Sequence, residues 1–148
     1  MLTRQLILAA LLATAVQAAA ADADRQFVNG DRSASRAALP FSDAVQVGDT
    51  LYISGHIGID AKTDRAAEDP QVEARLVMER FKHTVEAAGM TMDEVVSVQV
   101  YCTDLSLYDT FNAAYRKYLG KDLPARAFLG AGSLLLNARF EMQAIAMR

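Results

Sequence analysis

The chain has 148 residues, with 18 acidic against 15 basic side chains and a formal charge of −3. An acidic balance with no basic block argues against sequence-independent nucleic-acid binding, and a single cysteine, Cys102, excludes an internal disulfide. The length suits one domain rather than two.

Residues 1–20 read as a secretory leader. A basic start at Arg4 is followed by an apolar run from Leu6 to Val16 and by the small residues Ala18, Ala19 and Ala20. The run is short for a bilayer span, and no cysteine stands at the cleavage site to accept a lipid. The expectation is a periplasmic or secreted product with no membrane attachment after cleavage. Residues 21–38 are polar and Ala/Ser/Arg-rich, an N-terminal arm whose one strand-like stretch, Arg25 to Asn29, ends in the turn pair Asn29-Gly30. The domain proper is expected over 39–148.

Ala44-Val45-Gln46-Val47, the turn Gly48-Asp49 and Thr50-Leu51-Tyr52-Ile53-Ser54 predict a β-hairpin with a two-residue turn. Gly55 and Gly58 follow, two glycines in four residues, which suggests close backbone approach to packing neighbours or to a ligand. A charged loop over 61–68 leads to Asp69-Pro70, an N-cap acceptor with proline at the first helical position. Val77, Met78, Phe81, Val85 and Ala88 then fall on one helix face, Gly89 supplies the stop, and Glu73, Arg75, Glu79, Arg80, Lys82 and Glu86 are expected on a solvated face. Val95 to Cys102 alternates as a strand, with Cys102 as buried filler. A second helix from near Ser106 to Gly120 turns Leu107, Phe111, Tyr115 and Leu119 inward. A strand around Arg126, a turn at Gly130-Ala131-Gly132-Ser133 and a closing strand from Arg139 to Met147 complete the chain. Those glycines lie between strands and not ahead of a helix, so they make no phosphate cradle. His56 and His83 lack metal-ligand spacing, and no metal is expected.

The order is β-β-α-β-α-β-β, most simply an α+β sandwich: one mixed sheet with both helices on one face. The other face needs cover, and self-association is the economical source. Arg126 is the residue that composition does not explain. A guanidinium within the apolar run Leu123 to Phe128 must find a partner. Two are open: Glu141 in the closing strand, as an internal ion pair, or an anionic ligand, with Glu141 left for chemistry.

The blocks Pro40-Phe41-Ser42-Asp43-Ala44-Val45, Leu51-Tyr52-Ile53-Ser54-Gly55-His56-Ile57, Val85-Glu86-Ala87-Ala88-Gly89, Asp104-Leu105, Phe111-Asn112-Ala113-Ala114-Tyr115, Pro124-Ala125-Arg126 and Glu141-Met142-Gln143-Ala144-Ile145-Ala146 occur in one order over 40–146. In this ordered set the chain resembles the Rid (YjgF) family of enamine/imine deaminases. The resemblance implies a chorismate-mutase-like fold, a homotrimer with clefts between adjacent subunits, no metal or organic cofactor, and hydrolysis of small 2-imino or 2-enamino acids to 2-keto acids and ammonia. Arg126 matches the residue that grips the substrate carboxylate, Glu141 the one that positions water, and Ser54 and Gly55 a small-residue wall. Asn112 matches a polar residue at the cleft edge, and the backbone of Ala127 and Phe128 completes the pocket. Three substrate-contacting positions depart from the family pattern: Phe41 stands where tyrosine is common, His56 where glutamine is usual, and Phe128 where a small cysteine is frequent. The run Ser133-Leu134-Leu135-Leu136-Asn137 replaces a shorter polar turn, as hairpin packing or as an apolar lid. A non-catalytic trimer that binds small carboxylates is the rival reading; a ribonuclease is disfavoured by the acidic balance.

Overall fold

The computed structural model describes residues 24–30 and 39–148. The leader at 1–20 and most of the arm at 21–38 lie outside the described residues.

Local sequence signals set the elements. The hairpin forms from β2 (Ala44–Val47) and β3 (Thr50–Ile57), with Val47 opposite Thr50. Gly48 has φ 57°. This is the left-handed first turn residue that a Gly-first two-residue turn needs. The arm contributes β1 (Arg25–Val28), paired antiparallel to β2 at the sheet edge. The charged loop is a small hairpin of β4 (Ile59–Asp60) and β5 (Arg65–Ala66). Helix α1 (Pro70–Ala87) starts as expected from its N-cap. There the Asp69 carboxylate accepts from Gln71 N at 2.7 Å. Gly89, at φ 69°, closes the helix, as a left-handed C-terminal residue should. After β6 (Val95–Cys102), a short 3-10 turn at Leu105–Leu107 leads into α2 (Tyr108–Tyr118), then β7 (Ala125–Gly130) and β8 (Phe140–Met147).

Among the described residues, six strands form one mixed sheet in the order β1-β2-β3-β8-β6-β7, antiparallel except for β6 and β7. The expected terminal hairpin does not form. β8 runs between β3 and β6, and β7 lies parallel to β6 on its far side, so α2 is the crossover of a βαβ unit. Alternation along the strands gives two faces. Leu51, Ile53, Val98, Val100, Phe140 and Met142 point to the helices and are buried against Val77, Met78, Phe81 and Phe111. Gln99, Tyr101, Glu141 and Gln143 share the opposite face, which no helix covers among the described residues.

One ion pair locks this frame. Glu73, expected on the solvated side of α1, is fully buried. Its carboxylate accepts from Arg139 N (2.6 Å), Phe140 N (3.1 Å) and Arg139 Nη1 (2.7 Å), tying the first turn of α1 to the start of β8. Gly58 is required beside it, because a Cβ there would collide with the Glu73 backbone.

Candidate active site

The Glu141 side of the site is built on a β-bulge. Ile53 pairs with Ala144 and His56 with Met142, so Ser54 and Gly55 together face one residue of β8. The extra residue re-aims the strand. Ser54 Oγ donates to Ser42 O at 2.7 Å and Ser54 N to Asp43 O at 3.0 Å, which fastens the segment carrying Phe41. At Gly55 the absent side chain leaves room for the Glu141 carboxylate, which lies against its Cα; any Cβ would overlap Oε1. Phe41, Ser54, Gly55, His56 and Glu141 line a cavity of about 500 Å³, with Leu135 and Leu136 at one wall. Glu141 is half-buried and has no cation within 4 Å among the described residues.

His56 lines the Glu141 cavity and also makes contacts of its own to α1. The bulge turns its ring toward α1, where Nδ1 donates to the Ser54 carbonyl (2.9 Å), Nε2 meets Thr84 Oγ1 (2.7 Å) and Phe81 packs edge-on at 6.2 Å. Nε2 thereby ties β3 to α1, while Nδ1 bonds within β3 and fixes the ring.

Arg126, Asn112 and Phe128 gather at the other end of the sheet. In the parallel register Arg126 lies beside Val98 and Phe128 beside Val100, on the helix-facing side, whereas Ala127 lies beside Gln99 on the open face. Arg126 Nη1 donates to Asn112 Oδ1 at 2.8 Å and Nη2 to Tyr108 Oη at 3.2 Å. The guanidinium sits 4.6 Å from the Tyr115 ring centroid and 5.6 Å from those of Tyr108 and Phe128. The three rings make an aromatic box around the cation. Phe128 packs T-shaped on Tyr108 and Phe111, at 4.9 and 5.8 Å. It is a wall of the arginine box. Tyr115 Oη is buried without a hydrogen-bond partner among the described residues, and burial pushes its pKa up, with the nearby Arg126 charge pulling the other way. Tyr108 and Tyr115 were not among the candidates. Their spacing from Asn112, four residues before and three after, places all three on one helix face and is the signal that identifies them.

The internal ion pair between Arg126 and Glu141 is excluded. The two residues point to opposite faces of the sheet, with β6 between their strands. They are separated by about 10 Å across the strands and about 10 Å along them. No carboxylate lies within 4 Å of Arg126 among the described residues. Cys102 is buried, its thiol donates to Asp104 O at 3.0 Å, and burial pushes its pKa up. It is packing and not a nucleophile.

A mixed sheet backed by two helices in this connectivity is the chorismate-mutase-like architecture shared by YjgF-fold proteins. Residues 32–148 match the family model described as endoribonuclease L-PSP. The 2-iminobutanoate/2-iminopropanoate deaminase of Salmonella typhimurium is 34 % identical over 112 residues, 74 % of this chain and 88 % of that protein. Among similar solved structures, RidA from an Antarctic Psychrobacter has a TM-score of 0.72 at 32 % identity, covering 83 % of this chain and 97 % of that one. Escherichia coli TdcF with bound serine has a TM-score of 0.70 at 27 % identity, covering 82 % and 93 %. The chain belongs to the Rid/YjgF family, whose members include these imine deaminases.

Proposed function

We propose that this chain is a hydrolytic deaminase for 2-imino and 2-enamino acids, and that each site forms where the Arg126 end of one copy meets the Glu141 end of the next in a homotrimer. The observation that carries the reading is a reciprocal vacancy of charge. A guanidinium in an aromatic box has no carboxylate, and a carboxylate in a cavity has no cation, among the described residues. Neither end is a complete site, and one chain cannot bring them together.

The chemistry follows from the groups. The planar fork of Arg126, oriented by Asn112 and Tyr108, receives the substrate carboxylate in charge-assisted bonds worth roughly 1.5–3 kcal/mol each. The iminium carbon then faces Glu141. Glu141 accepts a proton as water adds to the C=N carbon, giving a carbinolamine, and returns that proton to the nitrogen. Ammonia leaves as the C–N bond breaks; the hydroxyl becomes the keto group by giving its proton to Glu141, which passes it to the departing ammonia, so ammonium is released and the carboxylate ends as it began. No step needs a metal or an organic cofactor. The same proposal puts this turnover outside the cytoplasm, a reading that the leader-like sequence at 1–20 supports.

The binder reading keeps one observation in its favour: Phe41, at the cavity wall, brings no hydroxyl to orient substrate or water. Turnover decides between them. Ammonia release from freshly generated imino acids should be accelerated by the wild-type protein. It should fall at least ~100-fold in kcat/KM for Arg126→Ala, and by about 10²–10⁴ in kcat, with KM little changed, for Glu141→Gln. Saturable binding of 2-keto acids without any acceleration would make the protein a binder.

A further inference from the structure

Sequence places three consecutive leucines, Leu134 to Leu136, in the connection between β7 and β8, where a polar turn would be expected. Leu135 and Leu136 are 74 % and 58 % exposed. Single exposed leucines need no explanation, but these two occupy one 3-10 turn whose backbone is forced. Leu136 has φ 56° and ψ 27°, and Asn137 has φ 57°. Asparagine tolerates the left-handed region, whereas leucine does so only with strain. The turn is held from below. Ala138 N donates to Leu135 O at 3.1 Å, Ala138 is buried, and Arg139 is fixed by Glu73. A strained turn on a rigid base thus presents two leucines to water, a combination associated with ligand clamps.

Both side chains border the cavity that holds Glu141. Phe41, Leu39, Ile57 and Ile59 line it too, so the chamber beside the carboxylate is mainly apolar. Its charged lining also discriminates. Asp43, Asp64 and Glu141 outnumber Arg80, whose Nη1 is turned to Ile57 O at 3.4 Å. A second carboxylate on the guest would therefore meet repulsion.

We propose that Leu135 and Leu136 are specificity-determining residues that enclose the substrate side chain, and that the preferred substrates are imino acids with bulky apolar side chains, as derived from leucine or phenylalanine. The proposal rests on the deaminase reading and names the substrate class of that site.

The test compares imines generated in situ by an amino-acid oxidase from alanine, leucine and phenylalanine, on the wild-type protein and on L135S/L136N. Asparagine at 136 keeps the left-handed backbone available. The wild type should show at least tenfold higher kcat/KM for the leucine- and phenylalanine-derived imines than for the alanine-derived one, and the variant should bring that ratio close to one. Binding of the product acids gives the same comparison without turnover, with 4-methyl-2-oxopentanoate at least tenfold tighter than pyruvate. A flat profile, or a preference for the alanine-derived imine, overturns the specificity proposal and leaves the deaminase standing. Turnover of no imine with the binding preference intact overturns the deaminase and keeps the apolar chamber. Loss of all substrates together with a smaller assembly in light scattering would make the leucines a contact between copies, which also overturns the proposal.

Discussion

Two acids and two arginines divide the molecule. Glu73 and Arg139 meet at 2.7 Å, the carboxylate fully buried and also accepting two backbone N–H groups, and they hold α1 to β8. Glu141 and Arg126 stand on opposite faces of the same sheet, each without an ionic partner among the described residues. The first pair is satisfied within the chain and stabilises the fold; the second is left open, and in the proposed function it receives the substrate. A structural ion pair of the kind considered for Arg126 does exist, but between other residues.

That contrast can be broken from either side. Glu73→Ala leaves Arg139 and two buried amides without their acceptor and should cost about 3 kcal/mol in urea unfolding. The kcat of the remaining folded protein should be unchanged. A large fall in kcat at full stability would place Glu73 in the chemistry instead. Gly55→Ala acts on the open carboxylate, since the new Cβ must displace Glu141. It should lower kcat roughly 10- to 100-fold with a small change in melting temperature. Tyr108→Phe removes one acceptor from the Arg126 fork and should raise KM about fivefold with kcat preserved, the signature of lost uniform binding. An unchanged KM would mean that the hydroxyl merely rests on the box.

The order of the main strands and helices, the helix caps and the β2–β3 hairpin were legible because each rests on local pattern: alternation, 3.6-residue periodicity or turn residues; a charge in an apolar run singled out Arg126, which has no carboxylate within 4 Å among the described residues. What escaped was non-local. Nothing in the local sequence says that β8 inserts between β3 and β6, because that register is fixed by pairing across the whole chain. Glu73 fell on the polar side of α1 by periodicity, and only Arg139, 66 residues later, draws it inside. His56 lines the cavity, but its bond to Thr84 depends on the bulge at Ser54 and Gly55, which local pattern does not announce. A second register shift, between Val95 and Ser97, buries Val95 and exposes Val96, the reverse of strict alternation.

The central claim is that Arg126 of one copy and Glu141 of another serve a single substrate. Subunit mixing tests it directly: Arg126→Ala and Glu141→Gln proteins, each inactive alone, are unfolded together, refolded at equal amounts, and assayed for imine hydrolysis. In a random trimer about a quarter of the junctions reunite an intact Arg126 with an intact Glu141, so activity should return to about a quarter of wild type. Mixed trimers that assemble fully and remain inactive would contradict the account.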